Sequence, residues 1–305
     1  MMAADIRTRR WVWGGVGSFV GYLLLRFGVD GSIVLADSIV LTPSAGLAIP
    51  LGVLFGLPAA VGIASGALVA ALFYSAFSLW SVFEGASLFV LALASSLAWG
   101  VHVAPGGRTV TGVSGWSGFV SLAAIVSTGT AAFLAWGGEF LGLFPFYVTF
   151  PDALVQYVLA TALVAPPLVF VLSRLRMRTN QNSHEEKPPN TTVAPSQTIR
   201  WAFALVPVLW GGVAMAGGIG FSIRERIDRL TFQEYGFEFL YHWFHPDVFG
   251  QGGRRIQVAF GALMLVGWLL TLASVHTPTA TTGNHAHGSP SDESPSTQGE
   301  ELEAQ

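Results

Sequence analysis

Cysteine is absent from all 305 residues. That excludes a disulfide framework, a thiolate metal centre and a cysteine nucleophile. Lysine is almost absent too: Lys187 is the only one, and it lies in a polar stretch. No apolar run therefore carries the lysine that a retinal Schiff base needs, and a rhodopsin-like pigment is excluded. Charge of either sign is scarce. Only 11% of residues are Asp, Glu, Lys or Arg, where soluble domains hold about 25%. The formal net charge of −3 offers no basic surface for nucleic acid. Neither a GxxxxGK[ST] nor an HExxH pattern occurs, so P-loop nucleotide binding and that class of zinc hydrolase fall away. No repeat of fixed period is evident, no catalytic constellation emerges, and no cofactor is implied.

What remains is apolar. Hydrophobic residues make up 52% of the chain, and the mean hydropathy is +0.56. Charges cluster in a few short segments, leaving several uncharged runs long enough to cross a bilayer, which takes about 20 residues. The expected fold class is all-α: a polytopic transmembrane bundle of about eight helices, six followed by two. The uncharged stretch from Ala45 to Phe77 sits at its heart. It is broken at Gly56-Leu57-Pro58, and proline is tolerated in the first turn of a helix, where its missing N–H has no partner anyway. This reads as a helical hairpin whose first arm, Ala45 to Gly56, is short for a span and kinked at Pro50.

The remaining runs are Trp11 to Phe27, Trp80 to Val101, Trp116 to Trp136, Asp152 to Leu172, Trp201 to Phe221 and Val258 to Val275. Gly137 to Phe150 reads as a turn, and Pro166-Pro167 as a kink. A basic start before a short apolar core also has the form of a signal peptide, with Val34-Leu35-Ala36 as its cleavage site. Arg26 and Asp30 separate that site from the apolar run, which favours a retained helix. The chain divides into a six-helix membrane bundle (1–178), a polar linker (179–199), a two-helix hairpin with an outer loop (200–276) and a disordered polar tail (277–305).

The distribution of arginine sets the expected orientation. With the N-terminus and C-terminus both cytoplasmic, Arg7, Arg9, Arg10, Arg108, Arg174, Arg176, Arg178, Lys187 and Arg200 fall inside. Asp30, Asp37, Glu84, Glu139 and Asp152 then gather at the outer helix ends. The plain reading of such groups is that they face water and headgroups. The sharper one is an acidic mouth for a small polar or cationic solute, with Glu84, Glu139, Asp152, Trp80 and Trp136 as ligand-binding candidates. Aromatic residues at that level serve equally as an interfacial belt or as pocket walls. Gly17 and Gly21 on the first helix, and Gly62 and Gly66 on the hairpin, have the small-residue spacing of close helix contacts. His242 and His245, beside Asp247, are metal-ligand types, but no third ligand is apparent, and an aromatic interfacial loop explains them as well.

The segment Pro43-Ser44-Ala45-Gly46 through Phe55-Gly56-Leu57-Pro58, with Gly62 to Gly66 behind it, resembles two membrane families. One is the substrate-binding component of energy-coupling-factor vitamin transporters, a six-helix bundle. That resemblance implies a ligand near the outer face and a coupling protein in the membrane, with Gly17 and Gly21 as partner contacts. The other is the membrane-associated sensor domain that precedes histidine kinases and diguanylate cyclases, which implies a signal passed to a separate partner. After Arg178 come a linker, two helices and a polar tail, and the extra pair departs from the six-helix transporter component. The functional expectation is a ligand-binding or transport component; the alternative is a sensory or regulatory membrane module.

Overall fold

The computed structural model describes residues 2–30, 34–35, 39–74, 77–102, 112–180, 197–226 and 251–276. His242 and His245, Arg108 and Lys187, nearly all of the expected linker and the expected tail lie outside the described residues. Eight α-helices occur among the described residues: α1 (Met2–Gly28), α2 (Ala48–Phe55), α3 (Leu57–Phe73), α4 (Leu79–His102), α5 (Gly112–Leu141), α6 (Phe146–Asn180), α7 (Gln197–Arg226) and α8 (Gln251–His276). Among the described residues, the one departure from an all-α fold is a two-residue antiparallel pair, β1 (Val34–Leu35) and β2 (Ile39–Val40).

The centre of the bundle is the hairpin. A 3-10 turn over Pro43–Leu47 leads into α2, and every residue from Pro43 to Val53 is buried. The change from 3-10 to α geometry falls just before Ala48, so Pro50 lies in the first turn of α2. There its missing donor costs nothing, and the kink expected at Pro50 is this change of helix type. Gly56, at φ 72°, then reverses the chain, and Pro58 sits in the first turn of α3. A left-handed φ at that corner suits only a residue without a Cβ.

Backbone contacts fix how the helices run. Gly52 lies against the Ala92 carbonyl and Gly56 against Ser96, so α2 runs parallel to α4; Gly85 of α4 meets Leu68, and Arg26 meets both Tyr74 at the end of α3 and Glu84 near the start of α4, so α3 runs antiparallel to α4. Gly62 lies on the Gly15 carbonyl, and Gly66 on Tyr22 and Phe19 of α1. Gly46 meets the Ala160 carbonyl of α6. At Gly46, Gly52 and Gly62 a Cβ would overlap the facing backbone, so the apolar helices approach as closely as small residues allow. The small-residue face that α1 turns to the bundle is Gly14, Gly15 and Ser18. Gly17, by contrast, has no heavy atom near its Cβ position, and Gly21 meets only Leu47 at 3.9 Å.

The Gly137-Gly138 pair does not turn the chain. Both residues are inside α5, where rings of α4 occupy the space their side chains would take: Phe83 on Gly137 and Trp80 on Gly138. The turn comes later. Gly142 has φ 70°, its N–H donates to Glu139 O at 3.1 Å, and Leu143 N–H donates to Gly138 O at 3.0 Å. This paired pattern closes a helix with a left-handed residue just past its end. Consequently α6 begins at Phe146, earlier than Asp152, and it continues through Pro166 and Pro167.

The last pair packs on the rest. Trp268 of α8 lies in the notch of Gly129 on α5 and stacks with Phe203 of α7. Trp136 of α5 fills the notch of Gly261 on α8. Phe150 of α6 fills that of Gly211 on α7. Among the described residues, four helices are long and apolar enough to cross a membrane: Leu79–Trp99, Gly115–Leu141, Phe146–Phe170 and Gln257–Ser274. Shorter apolar helices cover Pro43–Phe55, Leu57–Phe73 and Trp201–Ala216. The α2 helix is only about 12 Å long at 1.5 Å per residue. It is walled by its neighbours, with Ala48 to Val53 all buried.

Candidate functional site

The helix directions bring the start of α4, the end of α5, the start of α6 and the end of α1 to one end of the bundle. Here the few charges of the apolar core meet. Arg26, in the last turn of α1, reaches Asp30 at 3.3 Å and Glu84 of α4 at 3.8 Å. Its guanidinium also stands 5.8 Å from the centre of the Tyr74 ring, within range of a cation–π attraction. Asp30 turns inward: its side chain is 5% exposed. It accepts from Ser44 N–H at 2.9 Å and from the Ser44 hydroxyl. The 3-10 turn that opens the hairpin is thereby pinned to the end of α1. Arg26 is 24% exposed and Glu84 34%, so Glu84 is the one carboxylate of the cluster that faces outward while still paired.

One turn further along α4, Ser87 donates to or accepts from Tyr157 of α6, with the oxygens 2.8 Å apart. The Ser87 hydroxyl also lies 2.7 Å from the Glu84 carbonyl, which accepts from it. Both side chains are buried. Tyr22, buried on α1, lies beside Ser44. The cluster thus ties α1, the hairpin entrance, α4 and α6 together through Arg26, Asp30, Ser44, Glu84, Ser87 and Tyr157. Its formal charge is −1, from two carboxylates and one guanidinium. A balanced structural ion pair would leave no charge over.

The other sequence candidates are placed apart. Glu139 accepts from Phe146 N–H at 2.8 Å. It occupies the first free donor of α6, a group that a helix start always leaves over. Asp152 is exposed and accepts from Gln156 at 3.2 Å, and Gln156 accepts in turn from Thr42 at 3.5 Å. Trp136 gives its ring N–H to Val258 O at 3.0 Å and stacks on Phe140. Trp80 makes an edge contact with Phe144, centroids 5.6 Å apart. Glu139, Trp80 and Trp136 therefore hold helix starts and helix faces, and of the five candidates only Glu84 enters the charged cluster. Among the described residues no group of three His, Cys, Asp or Glu side chains is placed to hold a metal.

The partners of Glu84 were not among the sequence candidates. Arg26 and Asp30 carried a signal, since opposite charges four apart on a helix attract. Ser87, Tyr157 and Tyr22 carried a weaker one, as single polar groups in otherwise apolar runs. That they converge depends on tertiary packing. Comparison with protein-family models, with curated proteins and with solved structures found no match, and neither family resemblance gains support from them.

Proposed function

We propose that this chain is a multi-pass cell-membrane protein that binds a small polar or cationic solute at the Arg26–Glu84 end, as a ligand-binding or transport component. The carrying observation is Glu84: a carboxylate a third exposed, held at 3.8 Å by Arg26 beside the buried Asp30, in a cluster with one excess negative charge. A positively charged group of a solute completes the pairing that Arg26 makes only in part. Both termini are assigned to the cytoplasm by the arginine distribution, which puts the cluster at the outer face. The outward face of α1, where Gly17 is exposed, is the surface for a membrane coupling or signalling partner. It also serves the second reading, a regulatory module acting through such a partner.

The test is thermal stabilisation of the purified protein in detergent across a panel of amines, vitamins and inorganic cations. A saturable shift with at least one solute, lost in Glu84→Gln, supports the proposal. A panel without any shift, or a shift that Glu84→Gln leaves intact, rules out Glu84 as the binding group.

A further inference from the structure

The side chain of Arg26 shows what kind of group the outer end holds. One guanidinium nitrogen lies 3.3 Å from Asp30 and the other 3.8 Å from Glu84, and the guanidinium carbon stands 5.8 Å from the centre of the Tyr74 ring. Two carboxylates and an aromatic face are therefore within reach of a single planar cation. Both partner types suit a guanidinium: its forked donors match carboxylates, and its weakly hydrated plane lies well on a ring. Phe27 packs against Tyr74 and Phe73, with ring centroids 5.5 Å and 5.7 Å apart, so α1 also steadies the ring.

Arg26 divides itself between these partners and satisfies neither acid fully. A charge-assisted bond from a guanidinium nitrogen to a carboxylate closes at about 2.7–2.9 Å. Both contacts are longer, and the one to Glu84 is beyond hydrogen-bond range. Asp30 is fixed by Ser44 and nearly buried. Arg26 and Asp30 stand four residues apart at the end of α1, a local pairing that needs no help from α4. Glu84 and Tyr74 are the open members of the set.

From this geometry we propose that the solute bound at the outer end carries a guanidinium group, which takes the Glu84 carboxylate and the Tyr74 face, and that Arg26 is its tethered competitor. Arg26 covers Glu84 and Tyr74 while the site is empty and withdraws onto Asp30 when the solute arrives. The exchange keeps each carboxylate paired and brings the cluster from one excess negative charge to none. An alkylammonium is a compact, strongly hydrated charge with no plane to lay on the ring. A small inorganic cation takes several oxygen ligands, and an aromatic face supplies none. The inference rests on the solute reading of Glu84 and narrows it to one chemical class.

The experiment follows the melting temperature of the full-length protein in detergent against millimolar methylguanidinium, with methylammonium and sodium at matched chloride as controls. Methylguanidinium stabilises wild type saturably and binds more tightly than either control. Arg26→Gln removes the competitor and tightens the apparent affinity about fivefold or more, as release of an occluded site does. Tyr74→Leu weakens it about two- to fivefold, the worth of one exposed cation–π contact. A purely structural Arg26 predicts a lower starting stability in Arg26→Gln and no gain in affinity. Should that variant fail to fold, Arg26→Lys keeps the charge but not the planar fork, and gives a smaller gain of the same sign. Methylguanidinium that binds no better than methylammonium, or an affinity that neither Arg26 variant improves, overturns the inference. If another solute then still gives a shift that Glu84→Gln abolishes, the solute reading stands without this one. No shift with any solute, in wild type or variants, removes both.

Discussion

Tyr157 of α6 and Ser87 of α4 meet at 2.8 Å inside the bundle, and both side chains are buried. Ser87 keeps a second bond to the Glu84 carbonyl, so removing the tyrosine hydroxyl does not strand it. Tyr157→Phe is therefore expected to cost only about 0.5–1.5 kcal/mol, the net worth of one hydrogen bond. Ser87→Ala costs more, because it leaves the buried phenol unpaired. A double-mutant cycle read by thermal unfolding should show the two changes to be non-additive.

Glycines that touch backbone should be distinguishable from those that do not. Gly62→Ala pushes a methyl into the Gly15 carbonyl, and overpacking of this kind costs about 1–3 kcal/mol. Gly17→Ala meets open space and should be neutral or stabilising by up to about 1 kcal/mol through helix propensity. Equal effects of the two changes on the melting temperature would contradict the assigned α1 face.

Glu139→Gln and Glu84→Gln should fail in different ways. The first weakens the charge-assisted bond to Phe146 N–H and lowers stability by about 1 kcal/mol, as loss of a helix-start acceptor does; solute response stays intact. The second leaves α6 untouched and abolishes the solute response. The measurement is the same thermal series with and without the best solute.

The docking of α7 and α8 rests on ring-in-notch contacts. Coexpressed halves divided at residue 188 should copurify, held by Trp268 on Gly129 and Trp136 on Gly261. Gly129→Val fills one notch and should release the C-terminal half. Halves that separate without any substitution would show that the pair adds little to the contact.

Orientation has a direct check, because a chain without cysteine needs no background removed. Single cysteines at Arg108 and Glu84 should react with an impermeant maleimide from opposite sides of the membrane, Glu84 from outside. Labelling of position 108 from the outside reverses the arginine-based assignment.

The helices were legible because an uncharged run of about 20 residues has few alternatives, and Gly56-Leu57-Pro58 announced the reversal between α2 and α3. Gly137-Gly138 misled, because local preference reads two glycines as a turn. Their actual role is to admit Phe83 and Trp80, and the sequence does not reveal which rings will arrive. The site was half legible. Glu84 stands out as a lone acid in an apolar run. Ser44 and Asp30 acquire meaning only once the 3-10 turn is laid against the end of α1.

The brevity of α2 bears on biogenesis. A segment of eight residues is too small to be released into the bilayer as an independent unit, and its exposed peptide groups would be stranded there until α4 and α6 arrive to enclose them. Ribosome-bound intermediates that stop before α6 should therefore still hold the hairpin in a protected, aqueous setting. The heart of the bundle would be among the last parts to reach its resting place.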